Sequence, residues 1–318
     1  MATVLQTDFA WPDVGIERGV IEGAGHRLVT GPSEPSPAAA VEAMVAEHDP
    51  AAILTCWADI SAEAIRRPTA LRIVQRLGVG LDNIAMEAAT ARGAWVANVP
   101  DYCVEEVSDH AVALAYAWFR GIAQLDHAVK GGKWDPSGAR LRRGATLTAG
   151  ILGLGRIGRC TARKLDALGM TVLGHDIAAP PEGVPVRMVG LDALSAEADI
   201  VIVHLPLTDE THHLVDAAFL ARVKPGAFLI NVSRGPVVDN DALIAALDAG
   251  SLAGAGLDVV EGEPSPPAAL VARADVIATP HVAFSSDASL AELRRRGAEE
   301  VVRVLAGEPP ENPCNRVG

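Results

Sequence analysis

Cysteine is scarce in this chain, and its four copies, Cys56, Cys103, Cys160 and Cys314, lie far apart with no CxxC pair. That spacing excludes a disulfide framework and a cysteine metal cluster, and it leaves incidental thiols suited to a reducing cytoplasm. Positive charge is also short. The 27 Lys and Arg against 40 Asp and Glu give a net charge of −13, which argues against nucleic acid or an anionic membrane as partner. No apolar run reaches the ~18 residues of a membrane span; the longest, around Ala111 to Phe119, is bounded by charge. The N-terminus has no basic region leading into an apolar core, because Asp8 and Asp13 interrupt it, so no secretory signal is expected. Internal repeats and low-complexity tails are lacking too. His212 and His213 are adjacent rather than four apart, so their spacing predicts no metal site. What remains is a globular chain of 318 residues, 49% hydrophobic, long enough for two domains of ordinary size.

What is present begins with Gly153-Leu154-Gly155-Arg156-Ile157-Gly158, followed eighteen positions later by Asp176. The apolar run Thr148 to Leu152 reads as a buried strand, Ile157 to Leu168 has helical spacing, and Thr171 to His175 reads as a second strand ending at Asp176. Strand, glycine turn, helix, strand and acid follow in the order that a dinucleotide requires. Gly153 permits the tight turn, Gly155 lets the backbone approach a pyrophosphate, and Gly158 lets helix pack on strand. The N–H groups at Arg156 and Ile157, at the positive end of the helix, face the phosphates. Asp176 can accept from both hydroxyls of an adenosine ribose and would repel a 2′-phosphate, which favours NAD over NADP.

Up to Asn98 the chain alternates short apolar strands (Ala52 to Thr55, Ile73 to Arg76, Trp95 to Asn98) with helical stretches, an open α/β pattern. Val104 to Val129 is predicted as one long amphipathic helix ended by Gly131-Gly132. Strands recur at Ile200 to His204, Phe228 to Val232, Gly254 to Asp258 and Val276 to Ala278, and a final helix spans Asp287 to Leu305. That helix is too far along the chain to complete the N-terminal core unless the chain folds back.

Three motifs end strands in the second half: Asn231-Val232-Ser233-Arg234-Gly235, Leu257-Asp258 to Glu263-Pro264, and Thr279-Pro280-His281. Ligands of open parallel sheets bind beyond the carboxyl ends of the strands, so the three converge on one crevice. Singly they are weak, since Arg234 alone is more often a solvated charge, His281 a packed histidine and Glu263 a turn residue. Together, in the same sheet as the glycine motif, they form a hydride-transfer constellation.

On these motifs the chain resembles the NAD-dependent D-isomer-specific 2-hydroxyacid dehydrogenases over nearly its whole length. The resemblance implies catalytic roles for Arg234, Glu263 and His281. It also implies a substrate loop at Arg76 to Ile84, with Arg76 and the backbone at Val79 and Gly80 on the substrate carboxylate. A strand-to-helix turn would explain Gly78 and Gly80 equally well. Cofactor contacts are implied at His204, Pro206, Val232, Ser233, Asp258 and His281, with Asp258 accepting from the nicotinamide carboxamide. Within the family the chain is most similar to the group of the C-terminal-binding-protein corepressors and phosphoglycerate dehydrogenases. The shared features are Asn98-Val99-Pro100, Val104-Glu105-Glu106 and the closing stretch Ala291 to Pro310. Phe284 and Val107 depart from the corepressor pattern, the first in the substrate pocket and the second near the cofactor.

The implied fold is a Rossmann-type dinucleotide domain, residues 99–284, inserted into a flavodoxin-like substrate domain, residues 1–98 plus 285–318. Two chain crossings would make a hinge that closes on ligand. The implied activity is NAD-dependent interconversion of a small 2-keto acid and its (R)-2-hydroxy acid, in a cytoplasmic homodimer built partly on the Val104 to Val129 helix. Intramolecular burial is the alternative for that helix face. Two other readings stay open: an NAD(H)-sensing scaffold of corepressor type, and the same fold acting on a phosphonate or other small oxyanion.

Overall fold

The computed structural model describes residues 1–178 and 180–317. The chain forms two compact units: Met1–Tyr102 with the segment from Ser286 onward, and the contiguous stretch Cys103–Ser285. Each is built on a parallel sheet whose central strands, such as Ala52–Thr55, Ile200–Val203 and Ala227–Asn231, are buried along their whole length, the mark of a sheet covered on both faces.

The first unit holds β1 (Thr3–Gln6), β2 (Arg27–Thr30), β3 (Ala52–Thr55), β4 (Ile73–Arg76) and β5 (Trp95–Ala97) in the order β2-β1-β3-β4-β5. Every pairing is parallel. One face buries Leu5, Ile53, Val74 and Val96 against Val41, Val45 and Ile65. The final helix, Asp287–Leu305, returns to this unit. It is started by Ser286, whose hydroxyl accepts from the Ser289 backbone in a capping box. The seat of this helix is tight, because a Cβ at Gly297 would stand 2.4 Å from Leu77 Cδ2. Its Arg294 pairs at 2.9 Å with Glu17, which is fully buried on the helix Gly15–Gly23. The guanidinium also donates to the Asp13 carbonyl at 2.6 Å and lies 5.3 Å from the centre of the Trp11 ring.

The second unit holds β6 (Thr148–Leu152), β7 (Thr171–His175), β8 (Arg187–Met188), β9 (Ile200–Val203), β10 (Ala227–Asn231), β11 (Leu252–Leu257) and β12 (Val276–Ala278). Their order, β12-β11-β10-β9-β6-β7-β8, sets the glycine turn after β6 and the three motif loops after β10, β11 and β12 at one carboxyl edge.

The structure corrects one long element. Val104 to Val129 is not a continuous helix but two, Val104–Phe119 and Ile122–Lys130. Between them Gly121 takes φ +63, and a Cβ there would lie 2.9 Å from Ala139 and 3.0 Å from Leu141. The glycine therefore allows both the left-handed turn and the close return of the 139–141 segment. The strands Thr3–Gln6, Arg27–Thr30 and Arg187–Met188 escape the sequence reading because polar or charged residues leave each with only one or two consecutive apolar positions.

Candidate active site

The glycine turn is held by backbone crowding. Gly153 has φ +92, and a Cβ there would stand 2.7 Å from the His204 carbonyl oxygen. A Cβ at Gly158 would lie 2.0 Å from the Gly153 carbonyl oxygen, so the helix Arg156–Ala167 can approach β6 only with glycine at that position. Gly155 behaves differently. It begins the helix, carries no capping side chain, and a Cβ on it would meet open space. The first-turn N–H groups, those of Arg156 and Ile157 included, thus open on a space wide enough for an anion. At the tip of β7, Asp176 accepts from Leu154 N at 2.6 Å and Ala178 N at 3.1 Å. That leaves its half-exposed carboxylate with lone pairs for further donors.

Two neighbouring strands form the acid–base corner. Asp258, following β11 and only 2% exposed, captures the loop that leaves β12. Its Oδ1 accepts from Thr279 Oγ1 at 2.6 Å and Val282 N at 2.9 Å, and its Oδ2 accepts from Ala283 N at 2.9 Å. The anchored loop holds His281 at φ +52, a conformation unfavourable for a side-chain-bearing residue. Two hydrogen bonds from its backbone N keep it there, to the carbonyls of Asp258 (2.7 Å) and Thr279 (3.0 Å). The ring then meets Glu263, with Nδ1 to Oε1 at 2.9 Å. A carboxylate only accepts, so Nδ1 bears a proton and Nε2 is left as the exchangeable position. Phe284 stands edge-on to the imidazole, with ring centres 6.2 Å apart.

The Arg234 loop is fixed from below. Buried Asn231 accepts from Ser233 N (3.1 Å) and Ser233 Oγ (2.9 Å) and donates to the Arg234 carbonyl (2.9 Å). A Cβ at Gly235 would fall 2.3 Å from Glu261 N, so this loop rests directly on the backbone leading to Glu263. Arg234 Nη1 donates to the Ser233 carbonyl at 2.9 Å. The fold thus brings Arg234, Glu263 and His281 to three adjacent strand ends of one sheet.

Other expected residues fare unevenly. The His204 ring is tied to Thr161 Oγ1 at 3.0 Å, and burial pushes its pKa down to about 3, so it is a neutral packed group whose contribution to the turn is its backbone. Pro206 is exposed at the same edge and accepts from Thr211 Oγ1 at 2.6 Å. The Val232 side chain is 7% exposed and belongs to the core. Asp258 spends its carboxylate on the 279–283 loop, an anchoring task that the strand-end position alone does not reveal. In the first unit Arg76 ends β4 and is 7% exposed; its Nη1 donates to the Leu77 carbonyl, and its Nε has no partner among the described residues. Asn98 braces the following turn by donating to the Val79 carbonyl at 2.6 Å, beside half-exposed Gly80.

Sequence reasoning missed His110. Its Nε2 lies 3.0 Å from Thr279 Oγ1 and 3.7 Å from Asp258 Oδ1. Because the threonine hydroxyl gives its proton to Asp258, it accepts from His110, so Nε2 of that ring is protonated. Asp8 was missed as well. Fully buried after β1, it accepts from the backbone N–H of Cys56 (3.0 Å), Trp57 (2.6 Å) and Ala58 (3.1 Å). The available signal for Asp8 was a carboxylate two residues past the strand Thr3–Gln6.

Comparison with known proteins places this geometry in a family. A family model described as D-isomer specific 2-hydroxyacid dehydrogenase, NAD binding domain, matches residues 112–283. The chain is 39% identical over 267 residues to a glyoxylate reductase of Korarchaeum cryptofilum, covering 81% of this chain and 80% of that one. It is 39% identical over 263 residues to a D-3-phosphoglycerate dehydrogenase of Archaeoglobus fulgidus, covering 80% of this chain but 49% of the relative; the chain spans about half the length of that protein. Among solved structures, D-lactate dehydrogenase from Aquifex aeolicus complexed with NAD and lactic acid superposes with a TM-score of 0.85 at 26% identity, over 96% of each chain.

Proposed function

The chain belongs to the D-isomer specific 2-hydroxyacid dehydrogenase family, and on that premise we propose that it is an NAD-dependent oxidoreductase interconverting a small 2-keto acid and its (R)-2-hydroxy acid. The glycine cradle supports the cofactor: the crowding at Gly153 and Gly158 admits no side chain, the space at Gly155 is open, and Asp176 retains acceptor capacity for a ribose. Gly153, Gly155, Arg156, Ile157, Gly158 and Asp176 would hold NAD, with Val232, Ser233 and Pro206 lining the same edge. Bound NAD supplies or accepts the hydride.

The observation that carries the proposal is the His281–Glu263 pair at 2.9 Å, beside the Arg234 loop. With Nδ1–H committed to Glu263, His281 holds a proton at Nε2. It donates that proton to the substrate oxygen as negative charge develops there, and finishes neutral. The neighbouring carboxylate fixes the tautomer and orientation of the ring. Arg234 carries the guanidinium that would polarise the carbonyl of the keto acid. Asp258 and His110 act through the loop they hold. A protein that only senses NAD(H) has no use for a proton-donating pair, which favours turnover over the scaffold reading.

Replacing His281 by Ala should lower turnover by roughly a hundred- to ten-thousand-fold while NADH binding, read by fluorescence, is retained. Near-normal turnover in that variant refutes the assignment. A panel of 2-keto acids assayed by NADH oxidation identifies the substrate side chain.

We further infer a cytoplasmic homodimer. No disulfide joins the four cysteines among the described residues, as expected of a reducing compartment. No helix among the described residues is long and apolar enough to cross a membrane. The helix Ile122–Lys130 has no buried residue, and Ile122, Val129, Trp134 and Leu141 stand exposed around it, Trp134 by 87%. An apolar patch of that kind fits a second copy of the chain. Sedimentation at micromolar concentration giving a monomer mass would exclude the dimer.

A further inference from the structure

The cluster His212, His213 and Glu261 lies in the same unit as the catalytic corner, and none of its members has a part in the chemistry above. Adjacent histidines argue against a metal site in the sequence, since neighbours on a regular element point apart. The fold removes that objection. The segment carrying them is irregular, and His213 adopts φ +51. The two rings consequently stack with centres 4.0 Å apart and planes 27° from parallel. The third group arrives from 48 positions on: Glu261 Oε2 lies 3.0 Å from His213 Nε2. One ligating atom from each of the three residues lies within 4.8 Å of the others.

We propose that these three side chains form a binding site for a divalent transition-metal ion. Two imidazoles and one carboxylate are the donors that Zn²⁺, Ni²⁺, Co²⁺ and Cu²⁺ prefer, whereas Ca²⁺ and Mg²⁺ call for oxygen ligands and more of them. Three protein ligands leave at least one coordination position to water. Metal–nitrogen distances near 2.0–2.1 Å require the donors to draw inward slightly. His212 is exposed, and the side chains of His213 and Glu261 are each 34% accessible, so they have room to do so. Their backbones are already fixed: His213 N donates to the Pro236 carbonyl at 2.8 Å, and the Glu261 carbonyl accepts from Asn240 Nδ2 at 3.0 Å. Binding needs one proton rearrangement, in which the neutral His213 ring moves its single proton from Nε2 to Nδ1 and so turns the Nε2 lone pair toward the ion. The ion would then clamp the 208–213 segment to the turn that continues, two residues later, to Glu263.

Calorimetric titration of the chelator-stripped, full-length protein with Ni²⁺ or Zn²⁺ tests the site. One saturable ion per chain is expected. His212→Asn, His213→Ala and Glu261→Gln should each weaken binding at least roughly tenfold, since even outer partners of metal ligands carry that much. Glu261→Gln keeps the shape and a hydrogen bond to His213, so it decides the matter if an alanine variant folds poorly. Co²⁺ should give a spectrum without thiolate charge transfer, distinguishing the site from half-buried Cys314. Absence of saturable binding to the wild-type protein, unchanged affinity in the three variants, or a thiolate band would overturn the proposal.

Discussion

Each unit places a buried aspartate just after a strand and uses it to catch the loop leaving the neighbouring strand, but only one of the two loops carries the histidine proposed as proton donor. In the first unit Asp8 follows β1 and gathers the backbone N–H groups of residues 56–58 beyond β3, while Thr55 Oγ1 lies 3.4 Å from its Oδ1. In the second, Asp258 follows β11 and gathers Thr279 Oγ1 and the N–H groups of Val282 and Ala283 beyond β12. Both carboxylates are removed from water, and each satisfies donors that would otherwise be orphaned at a strand end. The difference lies in what the loop presents. Around Asp258 a histidine is forced to positive φ, a second histidine braces the threonine, and a glutamate meets the first ring. Around Asp8 the captured loop offers Cys56, whose thiol burial pushes up to about 12, and half-buried Trp57. Under the proposed function one anchor serves mainly folding, and the other serves folding and reaction together.

Four substitutions would break or sharpen that contrast. Asp8→Ala leaves three backbone N–H groups without an acceptor and should destabilise the first unit by about 3–5 kcal/mol, read by denaturant unfolding. Hydrogen exchange at Trp57 and Ala58 should accelerate with it. Asp258→Ala orphans two backbone N–H groups and one hydroxyl, a smaller loss of about 2–4 kcal/mol. It should nevertheless cut turnover roughly a hundredfold in the protein that remains folded, because the loop no longer holds His281 against Glu263. Equal turnover losses in the two variants, at equal folded fraction, would abolish the distinction. The smallest effects should come from the threonines. Thr279→Val removes the hydroxyl between His110 and Asp258 and should cost about 1–2 kcal/mol together with a measurable drop in kcat. Thr55→Val, whose contact with Asp8 is long, should cost about 1 kcal/mol and leave kcat unchanged.

The glycine turn was legible in the sequence because its constraints are local: Gly153 must turn, and Gly158 must lie against a carbonyl five residues earlier. The placement of Arg234, Glu263 and His281 at one edge was legible because neighbouring strands of one parallel sheet end side by side. The anchors were not. Asp8 meets partners 48 to 50 positions away, and Asp258 meets partners 21 to 25 positions away. Whether a strand-end aspartate faces solvent or a neighbouring loop depends on strand order, which local pattern does not state. The break at Gly121 was visible as a residue type, but an isolated glycine inside apolar helical spacing is compatible with a continuous helix. The return of Ala139 and Leu141 against it decides the turn.

The pairing of Glu17 with Arg294 across 277 positions bears on how the molecule is made. On the ribosome the glutamate emerges on the order of tens of seconds before its counter-charge, at ordinary elongation rates. Throughout that interval a carboxylate destined for a water-free seat lacks its partner, so the helix Gly15–Gly23 has strong reason to stay hydrated and undocked. The contiguous stretch from Cys103 to Ser285 can finish folding meanwhile, and the N-terminal third of the nascent chain closes last, when its missing helix is released.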